Sequence, residues 1–213
     1  MKIVEIYRKF GIPPNLQQHM IWVAGVAEFI TDHWKGGQID KNRLIKASLV
    51  HDLGNIVKFN FDKYPEFLGE EIKNIEFWKQ KQSEIISKYG SDDHLVTQKM
   101  LNEIGLDNKS IEVISAKSFA NAVETLNSND WYLKILLYSD MRVLPFGICT
   151  LEERLEDIMK RMPQYYSRPD IKDLLDACRK IEVEIQQNIN CDVEEINQQG
   201  LHITVKKFME MEI

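Results

Sequence analysis

The sequence predicts an all-α fold with a single domain. Apolar residues recur at intervals of three and four along most of the chain, which is the spacing of one helix face. No internal repeat, low-complexity tract or linker rich in proline, glycine or serine divides the 213 residues. We therefore expect one helical domain over residues 1–213, with a core at about 14–162 and a C-terminal helical extension at about 163–213.

The first two predicted helices lie before a glycine pair. Residues 1–15 carry a short helix of mixed charge. Pro13 and Pro14 suit the start of a longer second helix, and Gly36-Gly37 suits its end. One stripe of this second helix should face the core: His19, Val23, Val26 and Ile30.

A third helix is predicted over roughly 41–53, and it includes most of the motif LVHDLGN. Gly54 suits the position just after a helix end, where a left-handed conformation is common. This places the adjacent pair His51 and Asp52 in the last helical turn. One face of the helix carries Leu44, Ala47, Ser48 and His51.

The middle of the chain continues the helical pattern after one interruption. Residues 55–70 lack periodicity, so we predict a loop with a short turn there. A helix over 75–89 is closed by Gly90, and another begins at a Ser91/Asp92 cap and ends at Gly105. The remaining segments predicted to be helical are 108–126, 129–143, 150–162 and 170–189.

The C-terminal region leaves two questions open. The tail from Gly200 alternates weakly and is compatible with a helix or a strand, and we expect His202 at its surface. Apolar residues of the helix before it can pack internally or against a second copy, which leaves a homodimer open. These residues are Leu174, Leu175, Cys178, Ile181 and Ile185.

Composition narrows the functional class. The apolar fraction of 44% and the charged fraction of 28% are those of an ordinary soluble globular protein. The formal charge of −6 argues against broad nucleic-acid binding, which needs a basic face. No run of 18 apolar residues and no signal peptide is visible, so we expect no membrane partner. Three widely spaced cysteines suit reduced thiols, and a cytoplasmic location is the expected default.

Three predicted helices each direct a histidine or an aspartate towards the interior. His51 and Asp52 lie among Leu49, Val50 and Leu53. Asp140 shares the face of Leu133, Leu136 and Leu137, and His19 shares the stripe described above. An unpaired buried carboxylate costs several kcal/mol. Imidazole and carboxylate are common ligands of divalent metals, and one ion would resolve all of these burial problems together.

Structural roles remain open for each of these residues. His51 can interact with the dipole of its helix end while Asp52 acts as a cap or in a salt bridge. His19 can be a satisfied core histidine, with His33 taking its place as a ligand. Asp140 can form a buried ion pair with Arg142 or Arg154.

The ordered set of His19 in QQHMIWVA, His51 and Asp52 in LVHDLGN, and Asp140 in LLYSDMRV resembles the HD-domain metal-dependent phosphohydrolases. The resemblance covers about residues 14–162. It implies an HD-type helical bundle with a metal at its centre, bound by these four residues. The ion would be Mn, Mg, Co, Ni, Fe or Zn, since the ligand set tolerates most divalent metals.

The same resemblance assigns roles around the metal. His94 opens a helix whose counterpart lies near the site in such enzymes, which makes it a candidate phosphate contact, second-metal ligand or proton donor. Arg142 and Arg154 would neutralise a phosphate, together with Lys58. The sequence departs from the family pattern at Asn55, because many members carry a lysine or glutamate shortly after the pair.

The resulting expectation is hydrolysis of a nucleotide or a similar small phosphorylated metabolite by metal-activated water. Asp52 would orient that water as well as bind the metal. Because of the departure at Asn55, the alternative is a nucleotide-binding or regulatory HD module that hydrolyses nothing. A helical interaction protein and a metal-dependent oxygenase are further alternatives.

Overall fold

The computed structural model describes residues 1–145, 147–161, 163–165, 167–201 and 203–213. Two predictions fall outside these ranges: the surface position of His202, and Met162 as the last residue of a helix. The described helices are α1 (Ile3–Phe10), α2 (Pro14–Asp32), α3 (Lys41–Val50), α4 (Ile75–Tyr89), α5 (Asp93–Glu103), α6 (Asn108–Ala116), α7 (Ala122–Asn127), α8 (Trp131–Met141), α9 (Leu151–Arg161), α10 (Ile171–Gln187) and α11 (Val205–Met209). The predicted all-α class is confirmed.

The few remaining regular elements are short. Two antiparallel strands, β1 (Val143–Leu144) and β2 (Gly147–Ile148), form a small hairpin after α8. The described 3-10 helices are Asn55–Lys58, Pro65–Asn74, Phe119–Asn121, Pro163–Tyr165 and Val193–Glu195.

Helices α2 and α8 form the inner layer of the bundle. α2 packs against α3 and α8, and its buried residues face several sides. In α8 the residues from Lys134 to Ser139 are all buried. A helix that is buried around most of its circumference belongs to a core rather than a surface. Of the helices in the described part of the chain, none has the length and apolar character to cross a membrane.

Three of the helices around the site begin at aspartate caps. Asp40 accepts a hydrogen bond from the Arg43 backbone N–H at the start of α3. Asp92 does the same for Leu95 at the start of α5, as predicted. Asp130 caps α8. Each cap satisfies backbone donors that the first turn leaves unpaired, and so fixes where the helix starts.

Three local predictions need correction. The helix predicted over 41–53 ends at Val50, and the loop predicted over 55–70 contains 3-10 helices. The helix predicted over 108–126 breaks at Lys117, whose backbone is extended with φ −67° and ψ 113°. The break is stabilised by Ser118, whose hydroxyl accepts a hydrogen bond from the Ala120 N–H and so starts a new turn.

The C-terminal extension packs onto the core. α10 lies against α7 and α8, and its apolar residues Leu174, Cys178, Ile181 and Ile185 are buried within the same chain. Leu175 is partly buried against the same core, so these residues pack internally, and the homodimer stays a prediction. The tail forms the short helix α11, and the Ile3 N–H donates to the Met211 carbonyl at 2.9 Å.

Candidate metal centre and substrate cavity

Four side chains from three separate parts of the chain meet at one point. His19 comes from α2, His51 and Asp52 from the turn after α3, and Asp140 from the last turn of α8. One ligand atom from each lies within 4.8 Å of all the others. The structure thus brings together all four residues predicted as metal ligands.

The HD pair lies at the end of α3, not within its last turn as predicted. The helix ends at Val50, and His51 is its cap residue, with helical dihedrals of φ −64° and ψ −24°, at the start of a turn over residues 51–54. Adjacent side chains of a helix point about 100° apart. The shared centre therefore lies beside the helix end, within reach of both neighbouring side chains.

The distances between the histidine nitrogens and the carboxylate oxygens of the centre are short enough for all four groups to bind one ion. His19 Nε2 lies 3.1 Å from Asp140 Oδ1 and 3.7 Å from Asp52 Oδ2. His51 Nε2 lies 3.5 Å from Asp52 Oδ1 and 3.8 Å from Asp140 Oδ1. Ligand atoms around one ion at roughly 2.0–2.2 Å lie up to about 4.4 Å apart, so a small contraction would complete a coordination shell.

Two buried atoms support a metal at this centre. His51 Nδ1 donates to the Ser48 carbonyl at 2.7 Å, which leaves the Nε2 lone pair directed at the centre. His51 Nε2 and Asp140 Oδ1 are both buried, and neither makes a hydrogen bond. Buried polar atoms are rarely left without a partner. Two imidazole and two carboxylate groups therefore fit a divalent transition metal in both chemistry and position.

Lys117 is a member of the centre that the sequence analysis missed. It follows α6, and its Nζ lies 2.9 Å from Asp140 Oδ2 and 3.3 Å from Asp52 Oδ1. The residue is only 8% exposed. One signal was available in the sequence: Lys117 follows Val113 and Ile114 at four and three residues, on an apolar stripe. The charge partner of Asp140 is therefore Lys117, and the alternatives Arg142 and Arg154 are wrong.

Burial and neighbouring charges shift the pKa values of the side chains in the centre. Burial acts to raise the pKa of Asp140, but Lys117 and the two histidines outweigh it and hold the pKa well below its usual range. The pKa of Asp52 is likewise lowered, since His51 and Lys117 outweigh burial. Burial lowers the pKa of His19, which favours the neutral imidazole that binds metals. Burial acts to lower the pKa of Lys117, but the carboxylates of Asp140 and Asp52 outweigh it and raise the pKa.

Gly54 sets the position of the HD turn against α5. Its φ is −83°, so the predicted left-handed conformation is wrong. The reason for a glycine is space: a Cβ there would lie 2.5 Å from the Asp93 carbonyl oxygen and 2.6 Å from the Thr97 nitrogen. The Gly54 N–H donates to Thr97 Oγ1 at 2.9 Å. This close approach places the first turn of α5 beside the centre.

The centre opens into a cavity of about 540 Å³. Lys58, Asp93 and His94 line it from the 3-10 helix after the HD turn and from α5. Arg154 and Arg161 line it from α9. Aromatic side chains also contribute to the wall: Phe59, Tyr64, Phe119 and Tyr165.

Of the residues predicted to contact the substrate, three line the cavity and Arg142 does not. Lys58, His94 and Arg154 all line the cavity. Lys58 pairs with Asp93 at 2.8 Å. Arg154 pairs with Asp157 at 3.0 Å, and its buried Nε atom makes no hydrogen bond.

Arg142 does not line the cavity and is a correction to the sequence analysis. It is 2% exposed, because its guanidinium is directed into the protein beside the β1–β2 hairpin. The groups that accept its hydrogen bonds are the Cys149, Val193 and Ile196 carbonyls and the Tyr138 hydroxyl. Its position is explained by the fold, and we assign it no contact with substrate.

His33 also lies apart from the centre. It is the cap residue at the end of α2, and its Nδ1 contacts the Phe29 carbonyl at 2.9 Å. The group of potential metal ligands in the described residues does not include it. His33 therefore does not replace His19.

Comparison with known families agrees with this geometry. The family model of the HD domain matches residues 16–127, which is more than half of the chain. The match includes His19, His51, Asp52, His94 and Lys117, and it ends before Asp140. No curated protein and no solved structure matches the chain. The fourth ligand position thus comes from the fold and not from the family match.

Proposed function

Because the chain belongs to the HD domain family, whose members are typically metal-dependent hydrolases, we propose that it is a phosphohydrolase acting on a small phosphorylated metabolite. The nucleotides are the substrate class that we favour. The observation that carries the proposal is the cluster of His19, His51, Asp52 and Asp140 in the wall of a cavity.

The cavity suits a small anionic substrate. Its volume of about 540 Å³ lies within the range of roughly 300–1,000 Å³ that is usual for small-molecule sites. Lys58 and Arg154 supply positive charge for phosphate oxygens, and the arginine can bind two of them at once. Phe119 and Tyr165 pack edge to face, with ring centroids 5.0 Å apart, and they offer apolar surface for a base.

Each polar residue then has a distinct task. A divalent ion at the four ligands would lower the pKa of water and polarise a phosphoryl group. Asp52 orients the attacking water through its carboxylate, which its lowered pKa keeps ionised. His94 is exposed at the cavity wall and can deliver a proton to the leaving oxygen. Lys58 and Arg154 hold the phosphate.

The proposal is tested by phosphate release from nucleoside monophosphates and from simple phosphate esters, with Mn²⁺, Mg²⁺, Co²⁺, Ni²⁺, Fe²⁺ and Zn²⁺ supplied in turn. We expect turnover with at least one ion, and loss of metal and turnover in His19→Ala. His33→Ala is the matched control, since it removes a histidine from the same helix outside the centre. Tight nucleotide binding without turnover, whichever ion is supplied, would contradict the proposal and favour the regulatory module.

A further inference from the structure

The two carboxylates of the centre each direct one oxygen towards His19 and the other towards Lys117, although Asp52 Oδ1 also lies 3.5 Å from His51 Nε2. Asp140 directs Oδ1 to His19 Nε2 at 3.1 Å and Oδ2 to Lys117 Nζ at 2.9 Å. Asp52 directs Oδ2 towards His19 and Oδ1 towards Lys117. The ammonium of Lys117 therefore bridges the two aspartates on the side away from His19.

A bridging position of this kind is the one that a second divalent ion needs. In two-metal sites the ions lie about 3.5–4 Å apart and share carboxylate ligands. Here the oxygens that face away from His19 already contact a buried lysine, which is a compact point charge with three donors. Among the described residues, the group of potential ligands has no member beyond the four of the centre. A second ion would thus have to displace the lysine from both of these oxygens, and none of the other described residues belongs to the ligand group of the centre.

The charge balance leads to the same conclusion. The two ionised aspartates carry two negative charges, of which Lys117 neutralises one. One divalent ion then leaves a single net positive charge, which suits a phosphate. A second divalent ion beside the ammonium would leave three positive charges in a buried space, at a large electrostatic cost.

We propose that this centre holds one divalent ion, on the side of the two carboxylates that faces His19, and that Lys117 occupies the place of a second. Lys117 is then a positioning residue: it holds both carboxylates in register and keeps a further ion out. The residue that follows the HD turn at position 55 is an asparagine, and the basic group at the centre comes from the break between α6 and α7. This inference rests on the metal centre of the proposed function.

The test is titration of the metal-free protein with Mn²⁺, followed by elemental analysis and electron paramagnetic resonance. For the wild type we expect one equivalent and the six-line spectrum of an isolated ion. Lys117→Ala should bind two equivalents, with the spectrum of two exchange-coupled ions. Lys58→Ala is the matched control, because it removes another cavity lysine that does not contact the ligands, and it should bind one equivalent.

Lys117→Gln provides a second variant in case Lys117→Ala does not fold. It keeps a donor of similar reach without the charge, so the second Mn²⁺ should bind more tightly than in the wild type. Two equivalents in the wild type would overturn the inference, as would a single equivalent in both Lys117 variants. A wild type with one ion and no turnover would contradict only the proposed function, and a wild type with two ions and turnover only this inference. A wild type that binds none of the six ions named above overturns both.

Discussion

Asp140 and Arg142 are charged groups two residues apart at the end of α8, with opposite surroundings: Arg142 is buried, whereas Asp140 is half-buried and lines the cavity. Arg142 is enclosed by acceptors: three backbone carbonyls and the Tyr138 hydroxyl take its hydrogen bonds, and Glu182 lies 3.8 Å away. Asp140 has Lys117 on one oxygen, whereas its Oδ1 is buried without a hydrogen bond. One group is fully satisfied, and the other is left incomplete.

The comparison shows which property marks a site in this molecule. The presence of a charged group does not separate the two residues, and both side chains are mostly removed from solvent, with 14% of Asp140 and 3% of Arg142 exposed. Hydrogen-bond satisfaction does separate them, because a satisfied network rigidifies a core while an unsatisfied atom is costly unless a ligand completes it. The Arg142 network therefore holds the hairpin and the 193–196 segment together, and the Asp140 cluster is prepared for an ion.

The largest expected effect comes from Asp140→Asn, which keeps the shape of the side chain and removes its charge. We expect loss of bound metal, and a fall in kcat/KM of roughly 10³-fold or more, corresponding to about 4 kcal/mol of transition-state stabilisation. The apo protein should lose little stability, because Lys117 retains Asp52 as a partner. Elemental analysis, kinetics and thermal unfolding measure the three quantities. If Asp140→Asn keeps full metal content and full turnover, Asp140 does not bind the metal, and its surroundings do not differ from those of Arg142 in the way described above.

Arg142→Met should have the opposite effect: it should lower thermal stability and leave metal binding intact. The methionine fills similar apolar volume but leaves several buried carbonyls without a donor, at a cost of about 3 kcal/mol. Tm should fall by roughly 6–12 °C in a chain of this size, while the folded protein still binds metal. Thermal unfolding with and without chelator separates the two effects.

Arg179→Met is the control for Arg142→Met. Arg179 forms an ion pair with Glu152 on the surface, and its side chain is 45% exposed. Exposed pairs of this kind contribute about 0–1 kcal/mol, so Tm should change little. An equal fall in Tm for both variants would mean that the buried network has no special structural role.

The sequence predicts the ligand set because local periodicity is enough to find it. His19 lies on the apolar stripe of α2, and Asp140 lies on the apolar face of α8. A buried histidine or acid on such a face is visible without knowing what it contacts. The all-α class follows from the same pattern. These features depend on spacing within one element.

The sequence does not predict Lys117 and Arg142 correctly, because their roles depend on long-range packing. Lys117 reaches the centre only because α6 ends before it, and the turn that ends α6 is stabilised by Ser118. Arg142 is enclosed by carbonyls more than fifty residues further along the chain, at Val193 and Ile196. A charge near a ligand in sequence is therefore a poor guide to which charge lies near it in space.

The smallest expected effect, from Gly54→Ala, tests how closely the incomplete centre depends on backbone position. The added Cβ would meet the backbone of α5 at 2.5–2.6 Å, so α5 must move away from the HD turn. Overpacking of this kind costs about 1–3 kcal/mol. Metal affinity should fall as well, because the same turn carries His51 and Asp52, whereas the Arg142 network should be unaffected. Metal titration and thermal unfolding measure both effects.

Gly37→Ala is the matched control for Gly54→Ala, since no atom lies within 4 Å of the Cβ that it adds. We expect its metal affinity and Tm to equal those of the wild type. If Gly54→Ala lowers Tm but leaves metal affinity unchanged, the HD turn must be held by the bundle independently of α5. The close contact between Gly54 and α5 would then contribute to stability alone. The metal centre would be as rigid as the Arg142 network, although the comparison above assigns rigidity only to that network.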